Sequence, residues 1–407
     1  MSENVKPRDA EEVRALVEWA AAEGMPLELA GAGTKRGLGR PVQATHSVDL
    51  SALSGVTLYE PDELVLSARA GTRLAEIEAL LAEQRQALAF EPADLGPLYG
   101  AKAGEGTIGG VLSANLSGPR RVKAGAARDH LLGVSAVNGR GELFKAGGRV
   151  VKNVTGYDLC KLLAGSLGTL AAMTDVTVKV LPAAEEVRTV LVLGLADEPA
   201  VNALLTALGS VNEVTGAAHL PQALAARSAV PVISGANAPV SAVRVEGFPA
   251  SVAHRASALK ALLAPRGALD ELGGEESVAF WREVRDVGPF VGERERSVWR
   301  LSVPPASGPA VAARIAAELD AQAYYDWGGG LVWLGVAPSR DAGAAVVRAA
   351  LARCGGQATL MRAPDPVRAA VAVFEPLAEG LARLSARVKE SFDPRGVLNP
   401  GRLYAGS

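Results

Sequence analysis

Cysteine is nearly missing: 407 residues include two, Cys160 and Cys354. They form no C-x-x-C pair, which excludes zinc ribbons and Cys-ligated iron–sulfur clusters and suits a reducing compartment. Neither sign of charge dominates, with 42 Lys and Arg against 44 Asp and Glu and a net charge of −2. Nothing in that balance favours nucleic acid or an anionic membrane surface. No run of about 18 apolar residues is present, which argues against a membrane span. The opening MSENVKPRDAEEVR has no apolar core of the kind a signal peptide needs. These absences point to a cytoplasmic protein, peripheral at the inner membrane only through a partner. The string G-x-x-x-x-G-K-[ST] is missing too, and with it the Walker A loop.

What remains is 49% hydrophobic and 21% charged, enough for two or three domains with real cores. Asp9 with Glu12 forms a capping-box pattern, Val13, Leu16, Val17 and Ala20 follow at helical spacing, and Gly24 is a stop. PLELA (26–30) reads as a strand. HSVDL (46–50), GVTLYE (55–60), ELVLSARA (63–70) and ALAF (87–90) are short extended runs interrupted by a helix at 72–84. TIGGVLSANLSG (107–118) begins a helix, 131–147 is a hairpin turning at Gly139–Arg140, and 170–181 is a long strand stopped by Pro182. The pattern is α+β, without the regular alternation of a doubly wound sheet. From about 188, two β–α–β–α runs in series predict a split βαβ domain with an antiparallel sheet. SFDPRGVLNPGRLYAGS (391–407) is turn-rich and reads as a strap returning to the first domain.

Three glycine-rich stretches stand out. In LELAGAGTKRGLGRPV (27–42), Gly31, Gly33, Gly37 and Gly39 surround Lys35 and Arg36. The Rossmann fingerprint fails there, because its third glycine is Arg36 and no apolar helix follows. Successive glycine amides can still curl around an anion while adjacent cations neutralise it. A solvated turn with surface cations is the competing reading. GEGTIGGVLSANLSGPRR (104–121) adds hydroxyls at Ser113 and Ser117 and the pair Arg120–Arg121. The third stretch, 147–182, offers Lys152, Asn153, Tyr157, Asp158 and the turn GSLGT. Three such loops suit a long ligand with a diphosphate at its middle.

AGAGTKRG, TIGGVLSANLSGPRR, KNVTGYDLCKLLAGSLGT and FDPRGVLNPGR occur in an order that resembles the vanillyl-alcohol-oxidase (PCMH-type) FAD-binding family, and within it the E subunits of bacterial glycolate oxidase. The resemblance covers residues 1–182 and the strap at 392–402. It implies a two-lobed FAD-binding domain over 1–184, a ferredoxin-like antiparallel-sheet domain over 185–370 and a returning strap over 371–407. It also implies that Gly31, Ala32, Gly33, Thr34, Lys35, Arg36 and Gly37 hold the FAD pyrophosphate. Thr107, Ile108, Gly109, Gly110, Ser113, Asn115, Gly118 and Arg120, with Gly165, Gly168, Thr169 and Val176, would line the ribityl chain and ring. Lys152 and Arg402 are candidates for the charge near N1 and C2=O of the reduced flavin, against ordinary surface pairing. Asn153 and Tyr157 could bond the flavin or order a turn. Covalent relatives use a His or Cys, often in the first loop. This loop has neither, and His46 falls on the following strand, so noncovalent FAD is expected.

Related D-2-hydroxy-acid dehydrogenases carry a G-H-x-G-D-G-N-type motif beside the flavin. Here His46, His130, His219 and His254 are the whole histidine complement and none sits in such a motif. His130 reads as structural, and His219 and His254 as lone surface or capping histidines. Arg282, Arg285 and Arg300 could clamp a carboxylate, although the spacing of Trp281, Val284 and Arg285 also fits packing with a salt-bridged face. The reading is an FAD-binding subunit of a multi-subunit glycolate oxidase without a metal of its own. Its partners would be a catalytic FAD subunit and an iron–sulfur subunit. The competitors are a self-sufficient FAD-dependent D-2-hydroxy-acid dehydrogenase and a non-catalytic scaffold.

Overall fold

The computed structural model describes residues 3–149 and 156–406. It divides into two compact units, one of Met1–Ser117, Gly125–Pro182 and Ala372–Ser407, the other of Gly118–Ala124 and Ala183–Val371.

The first unit contains two main sheets. Strands β1 (Glu3–Val5), β2 (Leu27–Ala30) and β3 (His46–Asp49) form a parallel sheet in the order β1-β3-β2. Strands β4 (Val56–Glu60), β5 (Val65–Arg69), β7 (Leu131–Asn138), β8 (Leu143–Gly147) and β9 (Ala171–Lys179) form an antiparallel sheet in the order β4-β5-β9-β7-β8. A two-stranded piece pairs β6 (Gln86–Ala87) with β10 (Leu181–Pro182). The expected strand 87–90 is therefore mostly absent: Leu88, Ala89 and Phe90 are buried without joining a ladder. The β7–β8 hairpin turns where expected, because Asn138 Oδ1 accepts the amides of Arg140 and Glu142.

Helix α1 (Ala10–Glu23) starts at Asp9, whose carboxylate accepts the Glu12 amide at 2.8 Å, and ends at Gly24 with φ +65°. The reciprocal half of the expected box is missing, because Glu12 instead accepts the Arg8 amide and side chain. Val13, Val17 and Ala20 pack with Leu27, Leu29, Val48, Val137 and Ala172 in one core. Val397 and Leu398 join that core from the far end of the chain. Leu27 donates to Val397 O at 2.8 Å and Asn399 donates to Leu27 O at 3.0 Å, so the strap extends the β2 edge. Asp393 fixes its turn, accepting Val397 N, Leu398 N and Lys389 Nζ.

The second unit is one eight-stranded antiparallel sheet. Its strands are β11 (Glu186–Leu193), β12 (Gly216–Leu220), β13 (Val240–Gly247), β14 (Ala268–Gly273), β15 (Ser297–Ser302), β16 (Ala321–Asp326), β17 (Leu331–Val336) and β18 (Gln357–Arg362). The order β14-β11-β13-β12-β16-β17-β15-β18 places two βαββαβ motifs edge to edge, meeting where His219 pairs with Tyr325. Each motif is itself ferredoxin-like, so the sheet holds two such motifs where the two serial β–α runs predicted one split βαβ domain. The first motif's helices, Asp197–Leu208 and Pro249–Leu263, bury Ala203, Leu204, Val252 and Leu259 in its core.

Candidate functional site

In the first unit, the chain after β2 turns through Gly31–Gly39 against the start of α3 (Ile108–Ala114). The approach is close enough to require glycine: a Cβ on Gly31 would lie 2.4 Å from Thr107 Oγ1, and one on Gly37 2.4 Å from the Tyr99 ring. Gly33 adopts φ +75°. Within this loop Arg36 donates its amide to Gly33 O and Leu38 to Lys35 O. The amides of Ala32, Gly33, Thr34 and Lys35 donate to no acceptor among the described residues. Four consecutive uncommitted N–H groups form the kind of concavity that holds an anion.

The α3 N-terminus is different. Ile108 donates to Thr72 O, Gly109 to Ala70 O, Gly110 to Thr107 Oγ1 and Val111 to Thr107 O. Its donors are spent on the scaffold, so the helix supports the loop and supplies a wall. Two adjoining hollows of about 430 and 470 Å³ share Leu29, Ala30, Gly31, Thr107, Gly110, Ser113 and Leu167. One extends to Leu50, Ala70, Gly109, Gly168, Ala171, Ala172 and Met173, and the other runs along Ala32–Arg36 to Arg402. The cleft is thus apolar at one end and cationic, with free amides, at the other.

Lys35 is largely buried at the cationic end, its Nζ beside the α carbons of Gly106 and Gly110 and 3.4 Å from Thr34 Oγ1. Burial pushes it down to about 8, and the Asp94 carboxylate offsets part of that. Arg36 turns the other way, donating to Ser47 Oγ at 2.6 Å and lying 3.5 Å from Glu28. The two neighbouring cations therefore have different tasks. Arg402 is buried beneath the loop and donates to Lys35 O at 3.0 Å, a brace from the strap. Asn399 works beside it, accepting Leu29 N at 2.7 Å and donating to Leu167 O at 2.7 Å. Strap, β2 and the GSLGT turn are tied at one amide.

Several residues expected at the cofactor do not line these two hollows. Ile108 and Val176 are core residues, Val176 paired between Ala68 and Val134. Asn115 caps α3 with φ +49° and accepts Arg128 N. Thr169 bonds back to Ser166 O, and Gly165 donates to Leu112 O. Tyr157 is 94% exposed. Gly118 and Arg120 are engaged within the second unit, where Arg120 grips Glu246 through two bonds of 2.7 and 2.9 Å and Gly118 O accepts Trp327 Nε1. Lys152 and Asn153 lie outside the described residues. Leu29, Ala30, Leu50 and Ala70 line the cleft without a sequence signal, because apolar walls look like ordinary core.

The histidines are also settled by geometry. His46 sits edge-on to Trp19, and His130 is buried beside Phe90. His254 is exposed on its helix. His219 is not a surface residue: it is fully buried, Nδ1 on Ser241 Oγ at 2.9 Å and Nε2 3.3 Å from Asp197. Ser241 is equally buried, so this Ser–His–Asp array offers no accessible nucleophile and serves to hold β12 to β13.

The FAD_binding_4 family, described as an FAD binding domain, matches residues 3–147. Glycolate oxidase subunit GlcE of Escherichia coli (strain K12) is 33% identical over 394 residues, covering 96% of this chain and 95% of that protein. Glycolate oxidase subunit GlcD of Bacillus subtilis (strain 168) is 29% identical over 189 residues, or 46% of this chain and 39% of that one. The solved 4-ethylphenol oxidase from Gulosibacter chungangensis in its isoeugenol complex superposes with a TM-score of 0.74 at 14% identity, over 98% of this chain and 88% of that one, a likeness of fold. Among the described residues no helix is long and apolar enough to cross a membrane. A relative matched along nearly its whole length, with the FAD-binding region recognised on the glycine-loop half, places this chain in the GlcE family of glycolate oxidase subunits, FAD-binding oxidoreductase proteins of PCMH-type fold.

Proposed function

We propose that this chain is the FAD-binding subunit of a multi-subunit glycolate oxidase. It carries FAD noncovalently and serves the oxidation of glycolate to glyoxylate beside a catalytic FAD subunit and an iron–sulfur subunit, relaying electrons or supporting assembly. The observation that carries the reading is the row of uncommitted amides from Ala32 to Lys35 at the cationic end of an otherwise apolar cleft. Those amides and Lys35 would hold a diphosphate, while Ala70, Ala172 and Met173 would keep water from an apolar ring. Bound FAD supplies an acceptor for an electron pair that can be passed on singly. Among the described residues that line these two hollows none is His, Cys or Tyr, which supports noncovalent attachment. In this reading the removal of the substrate hydroxyl proton falls to the catalytic partner.

Acid precipitation of the purified chain should leave its FAD in the supernatant. Anaerobic glycolate should leave the flavin of the isolated chain oxidised and bleach it once the partner subunits are added. Flavin retained in the pellet would overturn noncovalent attachment, and bleaching of the isolated chain would overturn the division of labour.

A further inference from the structure

Asp94 lies in the segment between β6 and α3, flanked by the buried residues Ala93 and Leu95. Its carboxylate closes a loop, Oδ1 accepting Gly96 N at 3.1 Å and Oδ2 accepting Gly104 N at 2.6 Å. Inside that loop Tyr99 donates its amide to Gly96 O at 3.0 Å, and Ala101 donates to the same oxygen at 2.9 Å. The winding is tight, since a Cβ on Gly96 would meet Lys102 O at 2.8 Å. The Tyr99 ring is the surface that leaves no room for a Cβ on Gly37, so this segment buttresses the glycine loop.

The same carboxylate faces Lys35. A Cβ placed on Gly106 would lie 3.5 Å from Lys35 Nζ and 4.0 Å from Asp94 Oδ1, so ammonium and carboxylate border one bare carbon. Other charged groups belong to the elements around them. Arg36 is bonded to Ser47 and lies beside Glu28, and Arg402 donates to the backbone oxygen of Lys35. Lys102 and Glu105 lie in the Asp94 segment, and Arg73 precedes helix α2 (Leu74–Glu83). Among the described residues Asp94 is the one whose charge acts on Nζ, against the loss of hydration.

We propose that Asp94 is the positioning residue of the cationic end of the cleft. Its carboxylate braces the Leu95–Gly104 loop beside the glycine loop and supplies the counter-charge that holds the Lys35 ammonium for a diphosphate. The assignment rests on the flavin reading and deepens it, because the pH range of flavin retention becomes a property of Asp94.

A carboxylate also repels a diphosphate, so removing it has two opposed effects. Where Lys35 is protonated with or without Asp94, only the repulsion is lost. At higher pH the lysine gives up its proton sooner, and the diphosphate loses its cation.

The test uses the full chain freed of flavin, as wild type and as Asp94→Asn, which retains a turn-forming acceptor without the charge. FAD affinity is measured by flavin fluorescence across the pH range. The Lys35 midpoint is read without FAD from carbon-13 at lysine Cε, its resonance assigned by its loss in Lys35→Met. Asp94→Asn should lower that midpoint by about half a pH unit or more, the scale of one partly screened charge. Below about pH 6.5 the variant should bind FAD no more weakly than wild type, and near pH 8.5 it should bind about threefold more weakly or worse. In a Lys35→Met background Asp94→Asn should add no pH-dependent change. Should the asparagine chain prove unstable, Asp94→Ser replaces it, keeping a short turn-capping oxygen. An unmoved Lys35 midpoint would overturn the role, as would an equal loss of affinity at every pH or a shifted profile that persists in Lys35→Met. Absence of FAD binding by wild type would sink the flavin reading instead, and the Lys35 midpoint would still report on Asp94.

Discussion

Lys35 loses most of its hydration in the cleft and recovers only part of that loss from Asp94, which is why its proton is held less tightly than usual. Between about 8 and its ordinary 10.5 the folded chain binds fewer protons than the unfolded one, so burying Lys35 lowers stability below that window and the penalty fades as pH rises through it. A diphosphate beside Nζ reverses the preference by favouring the ammonium form. FAD affinity should therefore fall as pH rises above about 8, and binding at pH 9 should take up a fraction of a proton. Calorimetry in buffers of differing ionisation enthalpy measures that uptake. Lys35→Met should remove the uptake and weaken FAD by roughly 10- to 100-fold at pH 7, the scale of a charge-assisted hydrogen bond. Arg36→Ala should cost much less, since its guanidinium is bonded to Ser47 and faces Glu28. The glycine spacing in the sequence identified this loop, and nothing in it distinguished the two cations. That difference arises from β3 and Glu28, which lie on one side of the loop, and from α3, which lies on the other.

At the level of elements, the sequence carried most of the architecture because its signals were local. Hydrophobic periodicity marked α1, Gly139–Arg140 marked the hairpin turn, and the two serial β–α runs marked an antiparallel sheet of split βαβ kind, though one such motif and not two. Less legible was any segment whose partner is distant in sequence. Residues 118–121 read as the end of the second glycine-rich stretch, yet Arg120 reaches across 126 residues to Glu246 on β13. Arg244 lies 3.6 Å from the same carboxylate. Burial pushes Glu246 up, but Arg244 and Arg120 outweigh it and hold the carboxyl below its ordinary range. Its contribution is present above the ordinary carboxylate range and is lost as pH falls through the depressed value. Glu246→Gln should leave two buried guanidinium groups facing a neutral amide and cost about 3–5 kcal/mol. Urea titration measures that loss. The gap between wild type and variant should narrow as pH is lowered through that depressed value. A constant gap would mean the two arginines find other acceptors.

The whole chain consists of two units, each with its own sheets and core, and the chain passes between them around Gly118–Ala124, at Pro182 and at Ala372. The strap closing the first unit is built from Val397, Leu398, Asn399 and Arg402, and the last two touch the glycine loop and the GSLGT turn directly. Ligand bound along that loop therefore stabilises an assembly of three chain segments. Binding to the folded state alone adds RT ln(1 + [L]/Kd), about 2.7 kcal/mol at a hundredfold excess over Kd. Differential scanning calorimetry with and without added FAD should show two transitions, one rising with ligand and one unmoved. The unmoved transition belongs to the second unit, so Glu246→Gln should lower it selectively. Asn399→Ala should lower the ligand-sensitive one, because it removes the acceptor of Leu29 N and the donor to Leu167 O together. Both variants shifting the same single transition would show that the two cores melt as one body, and the stabilisation by flavin would then be shared along the entire chain.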